Sequence, residues 1–584
     1  MRVQVFLWRA FLTSTLVTSA TVGGFVDAAE CDTQPNSSKV QLTPTHLEAV
    51  SRRRRVIVHF DVIHGEPKFT NLKPDELVKL WFTFADQPGS QIDSIWWSWG
   101  EGNQSPYPSK ILPLYNHPGY KKWADNGIDI MRIFLEASHK RGLEAFRSYV
   151  VNGSDRDLGP LEEIPLKREH PEWLIPPNDL DGPHTVGGRF WNFEIPQVRE
   201  HKLEVLREVV ENYDFDGLEM EFSEAPLFPI GRQWKCREYL TQFMRTLRAM
   251  TLAQEARRGR PYLLAAHVPE NLVGCRVDGI DVETWAREQL VDIFVMGRRS
   301  YDVDVEMFRR ITAGTHIQLH PGSDEHHTTS GYNFPPIEVL RGVFSNWWHQ
   351  GVDGLYTYNW NYALHKQAVE AGVMGAPHYS GPPGPLHRQL YQEMGEPEML
   401  RYQDKTFVVQ RRGNEVGGSY GSGGGPPRRW LFYNIIAQLP ARLANDGIAD
   451  TLLFLDVGDD LTVEAVCPRI KSLTLRVLLN DPASKDLPED QKIEKTLIQQ
   501  FRQVDYYYND PPLKVIKEQL EVRFNNVPLG KPVIEHGWLV YPVQPQVVAL
   551  GENLVGLRVI GVRAASGDEI VLEKLELHVK YHSL

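Results

Sequence analysis

At 584 residues the chain exceeds what one hydrophobic core usually holds, since single cores stop growing at roughly 250–300 residues; at least two domains are expected. Its 42% hydrophobic and 24% charged residues exclude wholesale disorder and allow a large core. A net charge of −12 and a pI of about 5.9 argue against nucleic acid as a partner, which requires a basic surface to displace counterions. The one basic run, Arg52 to Arg55, reads as a solvated approach to the first strand.

The N-terminus has the pattern of an export signal over residues 1–29. Arg2 and Arg9 precede the apolar stretch AFLTSTLVTSATVGGFV, and small residues follow in VDAAE. The expected location is secreted or periplasmic, with the mature chain beginning near Ala29 and residues 30–51 forming a linker. No later apolar stretch reaches the about 20 residues a bilayer demands, so no stable membrane insertion is expected after cleavage. Four cysteines, Cys31, Cys236, Cys275 and Cys467, do not make a disulfide scaffold in a chain this long. Separate buried thiols are the simpler reading of Cys236 and Cys275.

From residue 52 onward, short β-branched or aromatic runs alternate with longer segments of helical period. Eight such runs read as strands: VIVHFDV (56–62), IDSIWWSWG (92–100), LEAFRSYVV (143–151), DGLEMEF (216–222), YLLAAHVP (262–269), VDIFVMG (291–297), THIQLHP (315–321) and DGLYTYNW (353–360). Strands alternating with helices imply βα units and a parallel sheet, and eight of them a (β/α)8 TIM barrel over residues 52–377. Turns leading into the strands are short, whereas several leaving them are long, above all 152–195, as in barrels that build their sites at the strand C-termini. Residues 378–397 read as a Pro/Gly-rich linker. Residues 398–584 carry many short alternating runs and no long helix, the pattern of an all-β sandwich.

The fourth strand raises a chemical question, because Glu219 and Glu221 alternate with Leu218, Met220 and Phe222. In a barrel strand alternate side chains face the helices and the lumen. The apolar set suits the helix layer, so both glutamates face inward, Cα atoms roughly 6.5 Å apart, with Glu221 nearer the C-terminal mouth and Glu224 in the loop beyond. The same rule assigns His59 and Asp61, Arg147 and Tyr149, His267, His320, and Tyr356 and Tyr358 to the lumen. A carboxylate pair in a polar, aromatic-walled mouth suits glycoside hydrolysis: one acid protonates the leaving oxygen and a second carboxylate attacks, activates water or orients the substrate. Like charge would raise one of the two pKa values. Glu221 is the candidate acid/base, Glu219 its partner, and Asp61 and Glu224 are held in reserve. Trp97, Trp99, Trp191 and Trp360 near strand ends are candidate sugar platforms beside His59, Arg147, Tyr149, His267, His320, Tyr356 and Tyr358. Arg147, Arg298 and Arg299 would suit sulfated or uronic sugars, or pair with lumen carboxylates.

FDGLEMEFSE resembles the fourth-strand D-G-x-D-x-D-x-E signature of the family 18 chitinases. Asp216, Gly217, Glu219 and Glu221 stand at its first four marked places; the fifth falls at Ser223, with Glu224 one step beyond. The whole arrangement of signal, barrel and sandwich is similar to glycoside-hydrolase-like proteins of polysaccharide-degrading bacteria. The resemblance implies a poly- or oligosaccharide substrate and no cofactor or metal. Two rivals stay open at this stage: a metal-dependent barrel hydrolase using His59, Asp61, His267 and His320, and a noncatalytic glycan-binding protein, for which the displaced acid Glu224 is the best support.

Overall fold

The computed structural model describes residues 39–582, apart from 62–70, 100–101, 116–117, 154–163, 177–189, 223–224, 298–299, 325–331, 333–334, 361–384, 411–433, 435–436, 445, 464–465, 481–519, 536–537 and 562–569. The export signal, Cys31, Glu224, Arg298 and Arg299 lie outside the described residues.

Eight parallel strands close into a barrel: β1 (Val56–Asp61), β2 (Ile92–Ser98), β3 (Glu144–Val150), β4 (Gly217–Glu221), β5 (Leu263–Val268), β6 (Ile293–Met296), β7 (Gln318–Ser323) and β8 (Leu355–Tyr358). β1 pairs with both β2 and β8, so the sheet has no edge. The expected strands fall within a few residues of these limits, because strands buried on both faces read as dense apolar runs.

An outer layer of helices follows the strands: α2 (Pro74–Trp81), α3 (Ile130–Lys140), α4 (Pro196–Asn212), α5 (Arg237–Arg258), α6 (Val282–Glu288), α7 (Val305–Thr312), α8 (Ile337–His349) and α9 (Pro385–Glu393), while α1 (Pro44–Ser51) precedes β1. Helix α9 corrects the reading of 378–397 as a plain linker. Leu390, Tyr391 and Met394 are fully buried in the barrel's helix-layer core, a contribution hidden in the sequence by the prolines and glycines just before it.

Helix α1 closes the barrel floor. Its Val50 joins the lumen's apolar cluster. Arg54, fully buried, grips Glu144 at the start of β3 with two 2.7 Å bonds and donates to the carbonyls of Ala49, Val50 and Arg52 at the helix C-terminus. Those carbonyls lack intrahelical donors, so the guanidinium both caps the helix and ties it to the sheet. On the other side His46 bridges Glu255 of α5 (2.6 Å) and Asp292 before β6 (2.9 Å), and Asp292 also pairs with Arg248 and His316.

The C-terminal part stacks two antiparallel sheets. One has the order β10 (Ala441–Arg442), β18 (Val571–Tyr581), β12 (Ile470–Asn480), β16 (Trp538–Pro542), β15 (Val533–Glu535), with β9 (Lys405–Val408) also on β18; the other runs β11 (Thr451–Val457), β17 (Gly551–Val559), β13 (Leu520–Phe524), β14 (Val527–Pro528). Their inward faces share one apolar core that includes Leu455, Leu475, Phe524, Leu557 and Leu577. This sandwich lies directly on the barrel. A Cβ on Gly342 of α8 would come within 2.2 Å of the Thr406 carbonyl of β9, so the helix and strand meet where only glycine allows it. Tyr332, in the loop after β7, donates to Glu576 of β18 at 2.9 Å.

Candidate active site in the barrel lumen

Strand registers stack the inward side chains in layers drawn from alternate strands, as TIM-barrel interiors do. From the mouth downward the layers hold Asp61 and Val150; then Ser98, Glu221, Gly297 and Tyr358; then His59, Ser148, His267 and Gly322; then Trp96, Glu219, Val295 and Tyr356; then Ile57, Phe146, Ala265 and His320. Polar groups occupy the upper layers and apolar ones the floor.

Both strand-four glutamates face the lumen, fully buried. Asp216 and Gly217, which precede them, serve the fold: Asp216 accepts from the Ala145 amide, His139 and Arg260. Burial pushes its pKa up, but these hydrogen bonds outweigh that and hold it below the usual aspartate value. A Cβ at Gly217 would strike the Phe146 ring and the Leu263 carbonyl, each at 2.6 Å.

Glu219 Oε1 accepts from the Tyr356 hydroxyl at 2.8 Å and lies 3.2 Å from His267 Nδ1. That second contact is of ion-pair length, although the ring is not aimed squarely enough for a well-formed hydrogen bond. The other ring nitrogen, Nε2, is 2.8 Å from the Gly297 carbonyl. Burial, with the charges of Glu219 and Glu221 and the neighbouring Tyr358, holds the Tyr356 hydroxyl well above its ordinary pKa, so it remains a donor. Opposite, His59 stacks on Tyr358 with ring centres 4.3 Å apart and meets Ser148 Oγ at 3.1 Å. At the rim Asp61 is held by Asn359, whose side-chain amide donates to Oδ2 and whose Oδ1 accepts from the Asp61 amide. Asn359 has φ +53°, a left-handed conformation that asparagine tolerates better than most residues and that recurs at functional sites. Sequence reasoning missed Ser148 and Asn359; the strand-end Asn359-Trp360 pair was the one available signal for the latter.

Strand three corrects the parity expected for Arg147 and Tyr149. Phe146 and Ser148 face the lumen, Phe146 stacking on Trp96 at 4.6 Å, because the lower lumen is apolar and takes the aromatic residue. Arg147 and Tyr149 therefore point into the helix layer. There the guanidinium donates to the carbonyls of Trp97, Ser148 and Trp99 and lies over the Trp99 and Tyr149 rings. Burial pulls its pKa below the ordinary arginine value. Tyr149 bonds the Gly102 carbonyl.

The expected tryptophan platforms are likewise core. Trp97 packs on Phe134 and bonds Ser138 of α3; Trp99 belongs to the same helix-layer cluster. Trp360 bonds the Ser323 carbonyl between Phe344 and Tyr391, and Trp191 is buried in the loop between β3 and α4 on Asn103. His320 does face inward, but one layer below Glu219, where burial and the charge of Arg54 push its pKa down to about 3. Trp97 and Trp99 point away from the lumen because the helix layer is the more apolar of the two faces open to bulky rings on β2 and just beyond it.

Residues 88–243 match the model of the family Glycosyl hydrolase-like 10. The matched stretch runs from before β2 into α5 and includes Glu219 and Glu221. The chain is 29% identical to the glycosyl hydrolase YngK of Bacillus subtilis over 141 residues, 24% of this chain and 26% of that protein. It is also 29% identical to the glycosyl hydrolase DigH of Escherichia coli over 135 residues, 20% of this chain and 29% of that one. The alignments thus span under a third of these glycosyl hydrolases. Among solved structures, a maltogenic α-amylase AmyB from Thermotoga neapolitana superposes with TM-score 0.35 at 10% identity, over 87% of this chain and 99% of the other. A family 18 N-acetylglucosaminidase from Paenibacillus barengoltzii gives TM-score 0.25 at 13% identity, over 46% and 68%. Both likenesses are too loose to speak to chemistry. The chain is thus similar to glycosyl hydrolases over this stretch, and its N-terminal part is a TIM barrel.

Proposed function

We propose that the protein, exported from the cell, hydrolyses O-glycosidic bonds of a poly- or oligosaccharide, with Glu221 as general acid/base and Glu219 as its supporting carboxyl. The observation that carries this reading is the placement of two buried glutamates in adjoining even-strand layers of the upper lumen, inside the stretch matched by the glycosyl-hydrolase-like family model. Glu221 stands one layer under the mouth, where a substrate oxygen would arrive. Asp61 at the rim, fixed by Asn359, is a further carboxylate available for activating water. His59, Tyr358 and Ser148 offer the hydroxyl and imidazole groups that bind sugar hydroxyls. The metal-dependent alternative needs His59, Asp61, His267 and His320 to converge, yet His320 lies layers below the others; among the described residues no three His, Cys, Asp or Glu side chains come together as a metal site.

The test is reducing-sugar release from a broad panel of polysaccharides by the mature protein and by folded Glu221→Gln. Release by the first and a fall of at least about a hundredfold in the second, the usual scale for general acid–base catalysis, supports the assignment. Binding without release by either protein would favour a noncatalytic glycan-binding barrel. Equal release by both would move the acid to another carboxyl, Asp61 first.

A further inference from the structure

His267 stands in the layer between the two glutamates, and its hydrogen bonding fixes its protons. A carbonyl oxygen only accepts, so Nε2, 2.8 Å from the Gly297 carbonyl, carries a hydrogen. Gly297 is held in place by its own amide, which donates to the Val268 carbonyl at 2.8 Å. The remaining nitrogen, Nδ1, faces Glu219 Oε1 at 3.2 Å. A bare imidazole lone pair and a carboxylate oxygen would repel at that distance in a buried site. A proton on one of the two removes that repulsion, even with the ring turned short of a well-formed hydrogen bond. Oε1 also accepts from the Tyr356 hydroxyl, and a hydrogen bond to the charged form favours it. The ordinary affinities, about 6.5 for histidine against about 4.3 for glutamate, place the proton on nitrogen.

We propose that His267 is a positioning residue held as a doubly protonated imidazolium by Glu219, Tyr356 and Gly297, so that the Glu219–His267 unit is neutral and Glu221 ionises without a bare carboxylate below it. The inference rests on the glycoside hydrolase reading for its catalytic meaning, though not for its test. It replaces the like-charge repulsion expected from the sequence. The pair above one another on β4 are not two competing anions; the lower one is neutralised and tethered, which takes it out of the role of nucleophile and leaves it to fix the imidazole under Glu221. Among the described residues, the titratable groups nearest the imidazole are Glu219 and Glu221 from β4, Tyr356 and Tyr358 from β8, and His59 across the lumen on β1. Tyr358 packs edge-on to it at 5.9 Å.

The ring can be read directly. The full chain is labelled with 15N in its histidine rings, and the His267 signals are identified by their loss in His267→Asn. In the unaltered protein both His267 nitrogens are expected to show protonated signals from pH 5 to at least 8, with no titration step. In Glu219→Gln one nitrogen is expected to become bare at pH 7. A bare nitrogen in the unaltered protein at pH 7 overturns the proposal without recourse to any variant, and so does a doubly protonated ring that survives Glu219→Gln. Because the readout needs no turnover, an inactive protein with an imidazolium at 267 would sink the hydrolase reading and leave this one standing. With an active protein, His267→Asn is expected to shift the pH profile of kcat/KM, which a purely structural loss would only scale down.

Discussion

Replacing Arg54 with methionine should be among the most damaging single changes to the barrel. The guanidinium is fully buried and makes two bonds of 2.7 Å to Glu144, one of 3.0 Å to Gln318 and three to the last carbonyls of α1. Arg54→Met strands a buried carboxylate whose remaining donor is the Ser94 hydroxyl at 2.9 Å, and it uncaps α1. Breaking a buried pair from one side costs about 3–5 kcal/mol, a large fraction of the about 5–15 kcal/mol by which proteins are stable. Urea unfolding followed by tryptophan fluorescence should show the first midpoint falling at unchanged slope. The double variant Arg54→Met with Glu144→Leu should recover much of the loss, because the stranded charge and not the missing attraction is the main cost. A loss below about 1 kcal/mol in the single variant, or no recovery in the double one, would refute the idea that this pair is a desolvated plug.

Four further outcomes are expected. Burial lowers the His46 pKa, but hydrogen bonding to Asp292 and Glu255 and the Asp292 charge outweigh it, leaving the imidazole above its ordinary 6.5. The stability it contributes is thus full below 6.5 and lost as pH rises through the folded value, so His46→Asn should cost more at pH 5.5 than at pH 9 in thermal melts; an equal cost at both would refute the sign. Gly354→Ala puts a Cβ within 1.9 Å of the Arg54 carbonyl and 2.6 Å of His320 and should destabilise by about 1–3 kcal/mol or more, whereas Gly530→Ala, which meets nothing within 4 Å, should stay within about 0.5 kcal/mol. Tyr332→Phe removes the hydrogen bond to Glu576, worth about 1.5–3 kcal/mol to a charged acceptor, and should speed proteolysis near the junction of barrel and sandwich. Arg147→Met should lower the melting temperature yet leave KM for any glycan unchanged, since the side chain points away from the lumen; a large rise in KM would restore it to the substrate.

The strands were legible because eight doubly buried runs must be apolar almost throughout, and strand four was legible to the residue because glutamates could only be tolerated on the lumen side. Strand three was not. Its two parities each offer one aromatic and one polar group, Phe146 with Ser148 against Arg147 with Tyr149, and only the neighbours decide: Trp96 supplies a stacking partner inside, while the open carbonyls of β2 supply acceptors for Arg147 outside. Depth was equally hidden. His320 obeys the inward rule, but the stagger of the strands lowers it beneath Glu219, and no single strand carries that information. The tryptophans of IWWSWG show the same limit, with Trp96 inside and Trp97 and Trp99 outside. Among the partners of the candidate site, Tyr356 and His267 were picked out by strand parity and residue type, whereas the contact linking each to Glu219 depends on geometry across the lumen.

The closed floor sets the route by which anything can reach Glu221. With Val50 of α1 in the lowest lumen cluster and Arg54 spanning from that helix to β3 and Gln318 of β7, the lumen is a cup and not a tunnel. On the hydrolase reading proposed above, a polymer would not be threaded through it and released behind; a chain would lie across the rim and dip a residue or present an end, and the product would leave by the way it came.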